Sequence, residues 1–269
     1  MLNKKINNNI PSEGNNSNLF ERLSAYISKV DKGWANKIKP AKKESIDLVK
    51  KLSEIEKVSK DLPEDYKTYL DYMGDNDEGL MGAQYPGSSS IKDVISHYEG
   101  LHEDRSEELN PKYLQFCITH LLCGELSFDL SNTDKQTIVM ANEGKYKGFF
   151  AENFEKLLFQ NAFLQYEKFY HNKYISFGGS KSMLEKTLEC SKINDIFEII
   201  EEISIDNCCE KIWFSDQKHY ICANNELCIF VIKISQAITG FITGDNEKYI
   251  NELANIMIPK IGTRIKSIL

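Results

Sequence analysis

Apolar residues recur every third or fourth position through much of the first hundred residues, then give way to short alternating runs. In residues 62–74, Tyr66, Tyr69, Leu70 and Met73 follow the i, i+3, i+4, i+7 spacing of one buried helix face. Pro63 suits the first helical position, and Glu64 and Asp65 put negative charge at the positive end of the dipole. Gly74 can take the left-handed conformation that ends a helix. Upstream, Ile46, Val49, Leu52, Ile55 and Val58 recur every three residues, with Leu48 beside them. That pattern predicts an amphipathic helix over residues 40–60 leading straight into the next one. A weaker helical stretch (Leu19, Leu23, Tyr26, Ile27) precedes Gly33, and Ser90 with Asp93 predicts the cap of a helix over residues 91–98. Residues 1–18 are rich in Asn and Ser, bury little apolar surface, and are expected to be a disordered tail.

Strand character begins at Tyr113. Residues 114–118, 125–130 and 137–140 are short β-prone runs separated by Gly124 and the turn at residues 131–134. Gly144 and Gly148 punctuate the approach to a helix carrying Phe150, Phe154, Leu157, Leu158 and Phe163. The second half restarts the pattern. Phe177-Gly178-Gly179-Ser180 reads as a break, followed by helical stretches over 183–190 and 193–203. Strands are expected over 211–214, 219–222, 227–234 and 237–243, the last ended by Gly244, and a final helix over 247–257. Helices followed by strands, without βαβ alternation, predict an α+β fold with an antiparallel or mixed sheet. The expected layout is a tail over 1–18, a domain over 19–165, and a C-terminal α+β region over 175–269. That region reads as a separate small domain in preference to an extension of the first sheet.

Composition changes this picture in two ways. No apolar run reaches the roughly 18 residues of a membrane span, and the basic N-terminus lacks the apolar core of a secretory signal. Seven cysteines, mostly inside apolar runs, point to free buried thiols in a reducing compartment, so a cytoplasmic protein is expected. The net charge of −7 is also unevenly spread. Residues 1–60 carry thirteen basic against seven acidic residues, whereas residues 61–110 carry thirteen acids against three bases, a balance of −10. Such a field repels nucleic acid and attracts a basic partner, or it is an ordinary solvated surface.

The candidate chemical sites are sparse. His97 and His102 with Glu99, Glu103 and Asp104 are the nearest approach to a metal cluster, but a spacing of five does not put two His on one helix face, and Gly100 is expected to break the segment. Cys208-Cys209 is not a C-x-x-C pair, and nothing local supports a Cys–His nucleophile. Gly178-Gly179-Ser180-Lys181-Ser182 departs from the phosphate-loop spacing, because Ser180 separates glycine from lysine. Asp75, Asp77, Glu78 and Gly79 lack the spacing of a calcium loop, with Pro86 at its twelfth position. Trp213 and Phe214 read as core. No catalytic residue, metal or cofactor is expected.

The string Leu62-Pro63-Glu64-Asp65-Tyr66-Lys67-Thr68-Tyr69-Leu70, with Gly74, resembles the opening of the SUKH superfamily (the Smi/Knr family). Gly124-Glu125-Leu126-Ser127-Phe128-Asp129-Leu130 is similar to that family's central strand, and residues 150–158 are similar to its closing helix. The resemblance spans residues 40–165. Asn153 stands where the family commonly has Ser, and nothing after residue 165 has a counterpart in the minimal domain. What the resemblance implies is a small α+β binding domain without catalysis. Many bacterial members are immunity proteins that neutralise nuclease or deaminase toxins by direct binding; fungal members are linked to cell-wall synthesis and signalling.

Charge and resemblance together lead to the expectation of an immunity protein that binds a basic cognate toxin, without nucleic acid or membrane as partner. Its partner-binding surface is expected at Asp71, Asp75, Asp77, Glu78, Glu103, Asp104, Glu107 and Glu108. A regulatory or scaffolding protein of the same superfamily, and an enzyme with its site in the C-terminal half, are the alternatives.

Overall fold

A computed structural model describes residues 11, 13, 18–104, 109–119, 124–131, 136–166, 171, 173–180, 196–234 and 237–268. The chain divides into two compact units, residues 13–166 and residues 167–269 together with 1–12. Both are α+β, and every strand pairing among the described residues is antiparallel. No described helix is long and apolar enough to cross a membrane.

The first unit opens with α1 (Leu19–Ile27), α2 (Trp34–Lys37), α3 (Lys43–Leu52), α4 (Glu64–Met73) and α5 (Ile91–Glu103). A four-stranded meander follows in the order β1 (Tyr113–Cys117), β2 (Glu125–Asp129), β3 (Ile138–Asn142), β4 (Lys145–Ala151), and α6 (Phe154–Tyr166) closes the unit. The core is a knot of rings. Tyr66 of α4 lies 5.8 Å from Phe116, 5.4 Å from Phe128 and 5.9 Å from Phe154, while Tyr69 meets Phe154 edge-on at 5.5 Å. All five rings are less than 2% exposed. The face expected for this helix is therefore the face that is buried, with Leu70 and Met73 beside the two tyrosines.

Its ends differ from expectation. Pro63 caps the helix from outside, and Gly74 is right-handed at φ −67°, ψ −19°. Gly74 is there for contact: a Cβ would stand 2.8 Å from Leu70 Cα and 2.9 Å from Ala41 Cβ. The helix over residues 40–60 does not run on into α4 either. It stops at Leu52, Glu54 turns left-handed at φ 52°, and a 3-10 turn, Ile55–Lys57, follows. In the opposite sense, α5 continues through Gly100, where a break was expected, to Glu103. Ser90 makes no side-chain cap; Ser88 Oγ donates to Asp93 instead. Phe150 belongs to β4, a strand not expected at all, and α6 begins only at Phe154.

The second unit contains β5 (Lys173–Ser180), α7 (Ile196–Asp206), β6 (Glu210–Lys211), β7 (His219–Ala223), β8 (Leu227–Ile234), β9 (Ala237–Gly244), α8 (Glu247–Lys260) and β10 (Arg264–Ile268). The strands form one sheet in the order β10-β5-β9-β8-β7-β6. One face, with Ile175, Phe177, Ile229, Val231 and Ile242, packs under Ile196, Ile200 and Ile203 of α7 and Ile250, Leu253 and Met257 of α8. Gly240 keeps this face flat where Phe177 crosses it, since a Cβ would approach Phe177 Cζ to 2.7 Å. Three readings are corrected here. The glycines at 178–179 lie inside β5, β10 was unforeseen, and residues 212–214 are a turn after the two-residue β6. Phe214 is buried nonetheless. The helix expected over 183–190 lies outside the described residues. Of residues 1–12 only Pro11 is described, and its carbonyl accepts from Trp213 Nε1 at 2.7 Å.

Candidate functional site

The segment after α4 is anchored by the core phenol of Tyr69. Its hydroxyl donates to Asp77 Oδ2 at 2.9 Å, and Ser89 Oγ and the Met81 amide reach the same oxygen at 3.1 and 2.9 Å. The Gly79 amide donates to Asp77 Oδ1 at 3.0 Å. Burial, with the Asp77 carboxylate second, pushes the Tyr69 hydroxyl well above its ordinary range, so it remains a donor. Asp77 is therefore a buried acceptor that holds a loop, and it leaves the expected partner surface.

The other seven carboxylates separate into two groups. Asp71 is exposed on α4; Asp75 is half-buried and pairs with Lys92 at 2.7 Å; Glu78 is half-buried, left-handed at φ 57°, and accepts from Asn76 Nδ2 at 2.7 Å. These three lie near the start of α5, because the Ile91 amide donates to Gly74 O at 2.8 Å. Glu103 and Asp104 are exposed at the far end of α5, where His102 Nε2 meets Leu52 O at 2.8 Å. At 1.5 Å per residue the two groups stand roughly 18 Å apart. That exceeds the Debye length of about 8 Å at physiological salt, so they act as two patches and not one belt. Glu107 and Glu108 lie outside the described residues.

A groove of about 710 Å³ opens along the first half of α5, lined by Ser88, Asp93, Ser96, His97, Ile118 and Thr119 among others. His97 and its neighbour close the edge of the sheet here. His97 Nε2 lies 2.6 Å from Gln115 Oε1, and the Gln115 amide donates to Tyr98 Oη at 2.8 Å. Edge strand β1 is thus covered by a side chain of α5. Among the described residues, no group of three or more His, Cys, Asp or Glu could hold a metal ion.

A second carboxylate, in the first turn of α4, is also internal. Asp65 is 7% exposed, and its pKa is pushed up to about 6, first by burial and then by the charges of Glu155 and Glu64. Glu155 itself pairs with Arg22, whose guanidinium lies 5.2 Å from the Phe159 ring centroid. By contrast, half-buried Asp61 is drawn down to about 2, chiefly by its hydrogen bond from Lys50.

The second unit does bring a thiol, an imidazole and a carboxylate into line. Cys228 Sγ lies 3.9 Å from His171 Nε2, and His171 Nδ1 lies 3.6 Å from Asp245 Oδ1. The polarity of this row is the reverse of what a nucleophile needs. Cys228 is 0% exposed, whereas the Asp245 side chain, the far end, is 57% exposed. A reactive cysteine sits in an accessible, electropositive place. His219 and Asp216 form another internal pair at 2.9 Å, with both side chains 0% exposed. Burial lowers the His219 pKa, keeping the ring neutral, and draws Lys218 down to about 8.

No family model, curated protein or solved structure matches the chain. Its own side chains therefore carry the functional reading. Sequence pattern alone could not separate internal acids such as Asp65 and Asp77 from exposed ones such as Asp71. It also missed Tyr72, whose ring stacks on Phe20 at the surface. An aromatic that falls outside the i, i+3, i+4 face of a helix is the signal that could have found it.

Proposed function

We propose that the chain is a non-catalytic protein-binding module of SUKH type, and that it neutralises a basic toxin by direct contact through the first unit. The observation that carries this reading is the exposed acid at both ends of α5. Asp71, Glu103 and Asp104 are exposed in a fifty-residue segment with a balance of −10. A nuclease-type toxin must be basic to hold phosphate, so an acidic inhibitor gains association rate and selectivity against it. Among the described residues the free thiols Cys117, Cys209, Cys222 and Cys228 are buried and Cys208 is exposed, and unpaired cysteines suit the reducing cytoplasm proposed for this encounter.

The alternative of an enzyme in the C-terminal half rests on the Cys228, His171 and Asp245 row. It is the weaker reading, because the nucleophile is its sealed end. The test of the proposal is co-expression with the protein encoded next to this chain, with a pull-down at low and high salt. Rescue of growth with a salt-sensitive complex is the expected result. No rescue and no complex would overturn the toxin reading in favour of a regulatory role.

A further inference from the structure

Three rings of the first unit form a ladder from core to solvent. Trp34 is 0% exposed, the Phe20 ring lies 6.3 Å from it at 28°, and the Tyr72 ring lies on Phe20 with centroids 3.8 Å and planes 7° apart. Tyr72 is nevertheless 46% exposed. Phe20 covers one side of the ring, so its exposure falls on the side away from the stack. A tyrosine immobilised in this way offers solvent a flat, rigid platform, and its ordering is complete before anything binds.

The charges beside the platform are placed against their own helix. Asp71 lies in the last turn of α4 and Asp75 just beyond Gly74, and that last turn holds no basic residue. Carboxylates at the negative end of a helix dipole are unfavourable, and a cation docked between them relieves the repulsion. Asp75 follows Tyr72 by three residues, just past the right-handed Gly74 that ends the helix, and its amide donates to Lys39 O at 2.9 Å. Its partner Lys92 is 75% exposed, and such a surface ion pair exchanges readily. Asp71 is exposed and has no ion pair among the described residues.

We propose that Tyr72, with Asp71 and Asp75, is the docking point for an arginine side chain of a protein partner. The guanidinium lies flat on the open face of Tyr72, and the two carboxylates accept its N–H groups. Arginine suits this site better than lysine because its planar, weakly hydrated head both stacks on a ring and forks onto carboxylates. An apolar partner would leave the Asp71 charge desolvated and unanswered. The inference rests on the protein-binding reading and names the chemistry that reading requires.

The test uses the full chain with hexa-arginine and hexa-lysine peptides at low salt, read by fluorescence anisotropy and by the Tyr72 ring resonances. Hexa-arginine is expected to bind about fivefold more tightly than hexa-lysine, the margin a stacked guanidinium supplies. Tyr72→Leu should bring the two peptides to one affinity and Tyr72→Phe should preserve the difference. Asp71→Asn should weaken both, whereas Glu103→Gln with Asp104→Asn should leave the preference intact. Equal binding by the wild-type chain, or an arginine preference that survives Tyr72→Leu, would overturn the proposal. The co-expression rescue separates the two readings. Arginine preference without rescue overturns the toxin reading alone, and rescue without the preference overturns the platform alone.

Discussion

The cores of the two units are built from different side chains. In the first unit, Tyr66, Tyr69, Phe116, Phe128 and Phe154 interlock edge-on and tilted. In the second, isoleucines from α7, α8 and the sheet fill the same role. The difference matters at the surface. A tyrosine can end in the core and still hold a polar loop, as Tyr69 holds Asp77. In the second unit that part falls to Tyr249 at the edge of the layer, whose hydroxyl donates to Asn207. Rigid, charged surface is therefore to be expected where the aromatic core ends, and Asp71, Tyr72 and Asp75 lie there.

The contrast can be broken by removing rings. Phe128→Ala should cost the first unit about 3–5 kcal/mol, while Ile229→Val in the second should cost only about 1 kcal/mol; urea unfolding of each variant measures both. A loss of no more than about 1 kcal/mol at Phe128 would mean that the ring knot carries little of the first unit's stability. Asp77→Ala should cost about 2–3 kcal/mol, since it leaves the buried Tyr69 hydroxyl and Met81 amide without their charged acceptor. The same substitution should also loosen the neighbouring platform, visible as faster amide exchange after Gly74.

Asp65→Asn should act in the opposite direction. The folded pKa of Asp65, about 6, lies above its unfolded value of about 3.9, so the folded state holds the proton more tightly. The destabilisation from this carboxylate is complete above pH 6 and relieved as pH falls towards 4. Asparagine should therefore stabilise the protein at pH 7 by about 1–2 kcal/mol, allowing for partial contact with solvent, with the gain vanishing near pH 4. Thermal melts at the two pH values measure this. The smallest effect is expected from Tyr98→Phe, about 1 kcal/mol, because it uncovers the Gln115 amide on edge strand β1.

The α+β class, the ring-bearing face of α4, and strands β7 to β9 were legible because alternation and helical spacing report a buried face directly. What escaped was set by neighbours. Glu54 turns left-handed in the middle of an unbroken apolar repeat, so periodicity ran through a helix end. β10 is exposed along all five residues and β4 along its first three, so neither shows the alternation of a half-buried strand. Gly178 and Gly179 read as a break because turns and close strand approaches both call for glycine. For the site, the sequence placed acids in one run of fifty residues, but α5 carries them to opposite ends, and only packing decides that Asp77 faces inward.

The most direct test of the central claim is the affinity of the neighbour-encoded protein for wild type and for Asp71→Lys, measured across a salt series. A rigid acidic and aromatic surface at the end of α4 requires that wild-type affinity fall steadily with salt. It also requires that Asp71→Lys cost at least about tenfold, or 1.4 kcal/mol, and flatten that slope. A complex of equal strength at every salt concentration, unchanged by Asp71→Lys, would contradict it.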